Sequence, residues 1–358
     1  MSDLGSASPV ADTAIRPEDL RSAVAAGILP EDVAQRLQAH AAQAQGGTVG
    51  GEDEQLRLVT GFADIFVTIG LALFLGALGY LSGGAWIVVV PVAAWLLAEL
   101  FTRMKRMALP SIVLLVVFVG SVFAASFFTL GDDANLSSGG PGLAAAGLLA
   151  CGAAGLHWLR FRVPITIAAA CAAGVGIVAG LAGWAWPGIM LSAPALIFLP
   201  LGFLTFALAM RFDMSDRMRR SRRTDIAFWL HMLAAPLIVH SVVRSIIDSG
   251  NLSLSSALTI LLLFALLSVV ALVIDRRALL VSSLVYLGYA LATLFENTSL
   301  TATIATGTAP TVLVVGATIL VLSIAWHPLR RILLQSVPMA VRNRVPPAHL
   351  ISNKPIST

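Results

Sequence analysis

Residues 217–240 read RMRRSRRTDIAFWLHMLAAPLIVH. This run decides how the chain is built: a block of five arginines ends abruptly, and an apolar segment long enough for a helix begins. Such a boundary marks a helix entering lipid with its cationic flank left in water. The apolar part carries Asp225, His231, Pro236 and His240. Ionisable groups at membrane depth are costly and are functional candidates by default.

The same pattern extends outward in both directions. Hydrophobic residues make up 58% of the 358-residue chain and charged residues only 12%. Soluble domains carry about 25% charged residues, so the solvent for most of this chain is a bilayer. The apolar runs are continuous and do not alternate with period two, which selects helices over barrel strands. A span needs about 20 apolar residues. Ten segments qualify, at 58–81, 85–101, 109–130, 142–158, 163–184, 188–210, 225–247, 253–274, 278–296 and 309–326. The predicted fold is an all-α polytopic bundle of about ten transmembrane helices, over residues 56–326.

The arginines and lysines fix an orientation. With the N-terminus in the cytosol, every basic residue except Arg244 of the 23 falls on the cytosolic side. A wrong helix count would scramble that asymmetry. Both termini are expected in the cytosol, and the membrane is expected to be a bacterial plasma membrane. No secretory leader is read, so the first apolar helix near Leu58 is expected to target the chain.

Residues 1–55 hold nine acids and three arginines. Residues 1–14 read as disordered and 46–54 as a linker. Between them, residues 16–45 carry Pro17 and Pro30 ahead of acidic first turns and Gly27 as a stop, which predicts a short helical hairpin. It is either a solvated tail or a docking module for a cytosolic protein. Residues 327–358 have five basic residues and no acid. Leu329, Ile332, Leu333 and Val337 predict a short interfacial helix after Pro328, able to hold anionic lipid. The basic residues serve membrane orientation, and no nucleic-acid partner is expected. Cys151 and Cys171 both sit in apolar segments and read as buried small hydrophobes.

The candidate functional residues are Asp64, Glu99, Asp225, His231 and His240. Thr60, Asp64 and Thr68, followed by Ala72, Gly76 and Gly79, read as a small-residue packing face. Glu99 is expected to pair with Arg103 one turn on. Asp225 reads as a helix cap beside Arg222 and Arg223. His231 and His240 point to nearly opposite sides of their helix and flank Pro236, where a kink is expected. They read either as proton-coupling groups or as neutral interhelical hydrogen-bond partners. His157 and His327 read as interfacial anchors at helix ends. Gly174, Gly176, Gly180 and Gly183 read as a packing face. Asp64, Glu99, Asp225, His231 and Asp275 all fall in the cytosolic third, where convergence would line a cavity. Arg244, Asp248 and Glu296 lie on the opposite side. There is no phosphate loop, nucleophile elbow, metalloprotease pair or zinc spacing, so neither cofactor nor metal is expected, and enzymatic activity is disfavoured.

The hairpin sequence AAGILPEDVAQRL, the ten helices and DIAFWLHMLAAPLIVH together resemble uncharacterised multi-pass membrane proteins of Gram-negative bacteria. The resemblance implies class and location and carries no catalytic or binding residue. A plan of two five-helix inverted repeats, 58–184 and 188–326, also fits the count. Against it, helix six, drawn to 210, has no acid to match Asp64. Three functions follow: a small-solute permease, proton-coupled through His231, His240 or Asp64; a non-transporting sensor or assembly factor; and an intramembrane enzyme on lipid-linked substrates, which ranks last.

Overall fold

The computed structural model describes residues 17–37, 62–130, 139–216, 219, 221–247, 253–296 and 308–346. Thr60, Asp248, the side chain of Glu296, the expected disordered segment and linker, residues 38–45 of the expected hairpin and residues 347–358 of the expected tail lie outside them. The chain divides into two compact units, Met1–Gln55 and Leu56–Thr358. In the first, α1 (Pro17–Ala25) and α2 (31–37) are joined through Gly27, whose φ of +70° suits a residue without a side chain. Ala34 is buried there, while Ile28 and Leu37 stay exposed.

The second unit is all helix among the described residues. Its long elements are α3 (Phe62–Leu81), α4 (Trp86–Ala98), α5 (Ala108–Leu130), α6 (Pro141–Phe161) and α7 (Ile165–Ala185). A short α8 (Ile189–Ser192) leads to α9 (Ala195–Ser215), α10 (Arg222–Ile247), α11 (Leu254–Ile274), α12 (Ala278–Glu296) and α13 (Thr308–Ser336), followed by a one-turn α14 (Met339–Arg342). Nine of these described helices are long and apolar enough to cross a membrane; α4 does so with its extension to Met104. The tenth expected crossing is α12, whose apolar stretch Ala278–Ala292 is shorter. It packs among α10, α11 and α13. Leu73, Leu96, Leu148, Leu204, Leu262 and Leu320 are all exposed. So broad an apolar exterior belongs in lipid, and the chain is an integral multi-pass membrane protein.

Two groups of helices share the work. α3 to α7 pack in sequence, each on its neighbours, and α9 to α13 form the second group, with α7 touching both α9 and α10. α10 is the centre: 61% of its apolar window is buried, against 11% in α13. Close approach of α6 and α7 depends on glycine. A Cβ on Gly180 would sit 2.8 Å from Ala144 Cα and 2.8 Å from the Gly140 carbonyl oxygen.

Several boundaries differ from the sequence expectation. Helix six continues past 210 to Ser215, and α10 starts at Arg222 and runs as one helix through Pro236. α4 passes into a wider π-helical turn over Glu99–Met104, closed by Lys105 N–H to the Leu100 carbonyl at 2.9 Å. α13 runs through Pro328 to Ser336, so the short helix expected there is its continuation. At 1.5 Å per residue its 29 residues span about 43 Å, well beyond a hydrocarbon core of about 30 Å.

The packing face of α3 also needs correction. Its buried residues are Asp64, Leu71 and Leu75, whereas Ala72 and Gly76 face outward. Steps of four residues advance about 40° around a helix. Three such steps carry position 76 about 120° away from Asp64, while mixed steps of three and four stay on its face. Among the glycines of α7, Gly180 packs tightly and Gly174 meets nothing within 4 Å.

Candidate functional site

The end of α9 supplies the residue around which the site forms. Gly202, Thr205, Ala209 and Asp213 are buried on one face of α9. That face carries Asp213 against the first half of α10, where His231 is fully buried. Arg276 arrives from the turn between α11 and α12. Asp275 ends α11 in the left-handed conformation, φ +59°, and the Arg276 N–H folds back to the Ala271 carbonyl at 2.9 Å.

These three side chains form one hydrogen-bonded unit. His231 Nε2 lies 2.9 Å from Asp213 Oδ2. Arg276 donates through Nε to the same oxygen at 3.2 Å and through Nη2 to Oδ1. A second contact from Nη2 reaches the Thr224 carbonyl at 3.2 Å. The side chains of His231, Arg276 and Asp213 are 0%, 1% and 5% exposed. A carboxylate gripped by guanidinium is an acceptor, so His231 presents Nε2–H to it. In the neutral ring, Nδ1 then carries the free lone pair. It is buried and has no hydrogen-bond partner among the described residues. The Phe206 ring packs at 5.3 Å from the imidazole.

A second ion cluster begins at the adjacent residue. Asp275 accepts from Trp326 Nε1 at 2.8 Å and from Arg219 Nη1 at 3.0 Å. Arg219 also donates to the Asp275 carbonyl at 2.7 Å. Arg330, buried at the end of α13, lies 3.7 Å from Asp275 and donates to the carbonyls of Leu272 and Pro346. Arg277 covers the Trp326 ring at 5.1 Å. The Asp275–Arg276 turn thus joins the α9–α10 connection, the end of α11 and the end of α13. Arg219, Arg276 and Arg330, counted in the sequence only as orientation charges, are built into the interior.

The expected residues separate into different environments. Asp225 is half-buried in the first turn of α10, within the field of Arg276 and Arg222. It is not the cap. Ser221 takes that role, its Oγ accepting from the Arg223 N–H at 3.3 Å, and Asp216 braces it by accepting from the Ser221 N–H at 2.7 Å, the Ser221 hydroxyl at 2.6 Å and Thr224 Oγ1 at 3.1 Å. His240 is exposed and hydrogen-bonds the Tyr286 hydroxyl of α12. Glu99 does meet Arg103, at 3.4 Å, but its closer partner is Arg160 on α6, at 2.6 and 2.9 Å. Asp64 is buried on α3 and its carbonyl accepts from Thr68 at 2.7 Å. His231, Asp225 and Asp275 therefore gather in the second helix group around Arg276, and Glu99 and Asp64 belong to the first.

His157 is no interfacial anchor. It is fully buried among Trp95, Phe118 and Phe161, with Thr166 Oγ1 3.4 Å from Nδ1. Asp213 is the residue that sequence reading missed, because helix six was stopped at the first arginine. Continuing the face of Gly202, Thr205 and Ala209 by one turn reaches it. Asp213 does not restore the inverted repeat, since it ends α9 while Asp64 begins α3.

Among the described residues, no group of three or more His, Cys, Asp or Glu side chains could hold a metal. Cys151 and Cys171 are free and half-buried. An open groove of about 500 Å³ between α11 and α13 is lined by Phe264, Ala265, Ser268, Val314, Ala317 and Thr318 among others, with no Asp or His. Its hydroxyls are satisfied by their own helices: Ser268 donates to Phe264 and Thr318 to Val314, both at 2.8 Å.

Asp213, His231 and Arg276 thus form a buried, hydrogen-bonded ionisable cluster within a polytopic helical membrane protein. No protein-family model, curated protein or solved structure matches the chain.

Proposed function

We propose that this protein is a proton-coupled permease for a small solute, with Asp213, His231 and Arg276 as its titratable centre. The carrying observation is the fully buried His231, paired to an Asp that is also held by Arg276, on the most buried helix. Protonation at Nδ1 would create an imidazolium beside the Asp213 carboxylate and loosen the claim of Arg276 on it. That exchange is a means of linking proton uptake to helix rearrangement. The basic-residue asymmetry supports a cytosolic location for both termini, and the family resemblance supports a bacterial plasma membrane.

Proteoliposomes loaded with a pH-sensitive dye test this. Wild type should show gradient-driven proton flux. His231→Ala and Asp213→Asn should lose it while remaining folded, and His240→Ala should keep it. A folded His231→Ala protein with wild-type flux, or wild type with no flux, refutes the proposal.

A second reading has its own observation. Ile28 and Leu37 are exposed on the α1–α2 pair, at 75% and 46%, and offer an apolar surface to a cytosolic protein. Loss of a copurifying partner in full-length Ile28→Ser, with wild-type proton flux absent, would favour the sensor or assembly role.

A further inference from the structure

We infer an anionic phospholipid site on the side of the membrane opposite the basic-rich ends, formed by Arg244 and His240 of α10 with Tyr286 of α12. α10 is the most buried span, yet Pro236, His240 and Arg244, four residues apart, are all exposed. This stripe is where the central helix reaches the surface. Arg244 is the sole basic residue on its side of the predicted topology, and no ion pair forms to it among the described residues.

The depth fits a headgroup. Nineteen residues separate Asp225, in the first turn of α10, from Arg244. That is about 28 Å of rise, against a hydrocarbon thickness of about 30 Å. Arg244 therefore reaches the far boundary, where a guanidinium meets lipid phosphate by extending its stem. His240 lies one turn deeper, about 6 Å. Its hydrogen bond to the Tyr286 hydroxyl holds the ring at the exposed α10–α12 surface. Tyr289, one turn beyond Tyr286, is also exposed, and tyrosine is a common residue at this level. Together these groups supply a planar cationic fork, which suits phosphate, beside an imidazole and an aromatic wall. A net-anionic headgroup matches a lone cation better than a zwitterionic one, whose own ammonium competes.

Native mass spectrometry of the full-length protein in detergent, titrated with phosphatidylglycerol and separately with phosphatidylcholine, provides the test. Wild type should bind one more phosphatidylglycerol than Arg244→Gln, or bind it about tenfold more tightly, the loss expected for one charge-assisted contact. Arg244→Lys should retain most of the binding. Tyr286→Phe should weaken it by a smaller factor. The difference should persist in an Arg331→Gln background, which removes an exposed cation on the basic-rich side. Equal phosphatidylglycerol binding by wild type and Arg244→Gln overturns the site. So does equal preference for phosphatidylcholine, or a change of oligomeric mass in Arg244→Gln, which would assign the stripe to a second copy of the chain. Melting temperatures keep a folding defect distinguishable from lost binding.

Discussion

Removing Asp213 and Arg276 together should cost the protein less than the sum of removing each alone. In Asp213→Ala the Arg276 guanidinium, 1% exposed, loses both of its contacts to the Asp213 carboxylate and retains the Thr224 carbonyl at 3.2 Å, and His231 loses its acceptor at 2.9 Å. An uncompensated buried charge of this kind costs about 3–5 kcal/mol. Arg276→Met leaves Asp213 with His231 alone and should cost about 2–4 kcal/mol, because a partner able to become cationic remains. The double variant Asp213→Ala/Arg276→Met removes both charges and keeps an apolar side chain in the space. It should lose less than the sum of the single variants by about 2 kcal/mol or more. Reversible unfolding in mixed detergent–denaturant micelles measures each corner of the cycle. A single-variant loss below about 1 kcal/mol, or strict additivity in the cycle, would refute the claim that these charges are desolvated and mutually dependent. Proton flux should be absent in the double variant even where stability recovers, separating the role in function from the role in holding α9, α10 and α11 together.

Gly180→Val should separate α6 from α7, because the backbone atoms of Ala144 and Gly140 have no room to yield; a loss of about 1–3 kcal/mol is expected. Gly76→Val is its control, with nothing within 4 Å of the added carbon, and thermal unfolding that fails to rank the two would contradict the helix contact. Trp326→Phe keeps the ring beneath Arg277 but deletes the indole donor to Asp275. A drop of about 1.5–3 kcal/mol is expected for a lost bond to a charged acceptor, and an unchanged unfolding midpoint would mean that Arg219 and Arg330 satisfy the carboxylate without it.

What the sequence determined by itself was the solvent and the crossings. Long apolar runs and their basic flanks are local properties, since a backbone in lipid must satisfy its own hydrogen bonds within each helix. Nine membrane-length apolar helices and a shorter tenth, and the burial of Asp64 and His231, are found among the described residues where those runs lie. Helix ends were less legible. Arg211 reads as a stop only if an arginine beside it cannot tolerate a helix, and α9 carries its buried face one turn further to Asp213. Pro328 reads as a break, yet α13 passes through it. Partners were not legible at all. Glu99 has an arginine four residues away and a closer one 61 residues away, and local spacing reveals only the first. Asp213, His231 and Arg276 lie on three elements, and nothing periodic links them. Whether a charge near a helix end turns to water or inward depends on which helices lie beside it. Arg276 and Arg330 count in sequence as two more orientation charges; only packing of α9, α10, α11 and α13 decides that they are buried, because the acid and the carbonyls that receive them come from elsewhere in the chain.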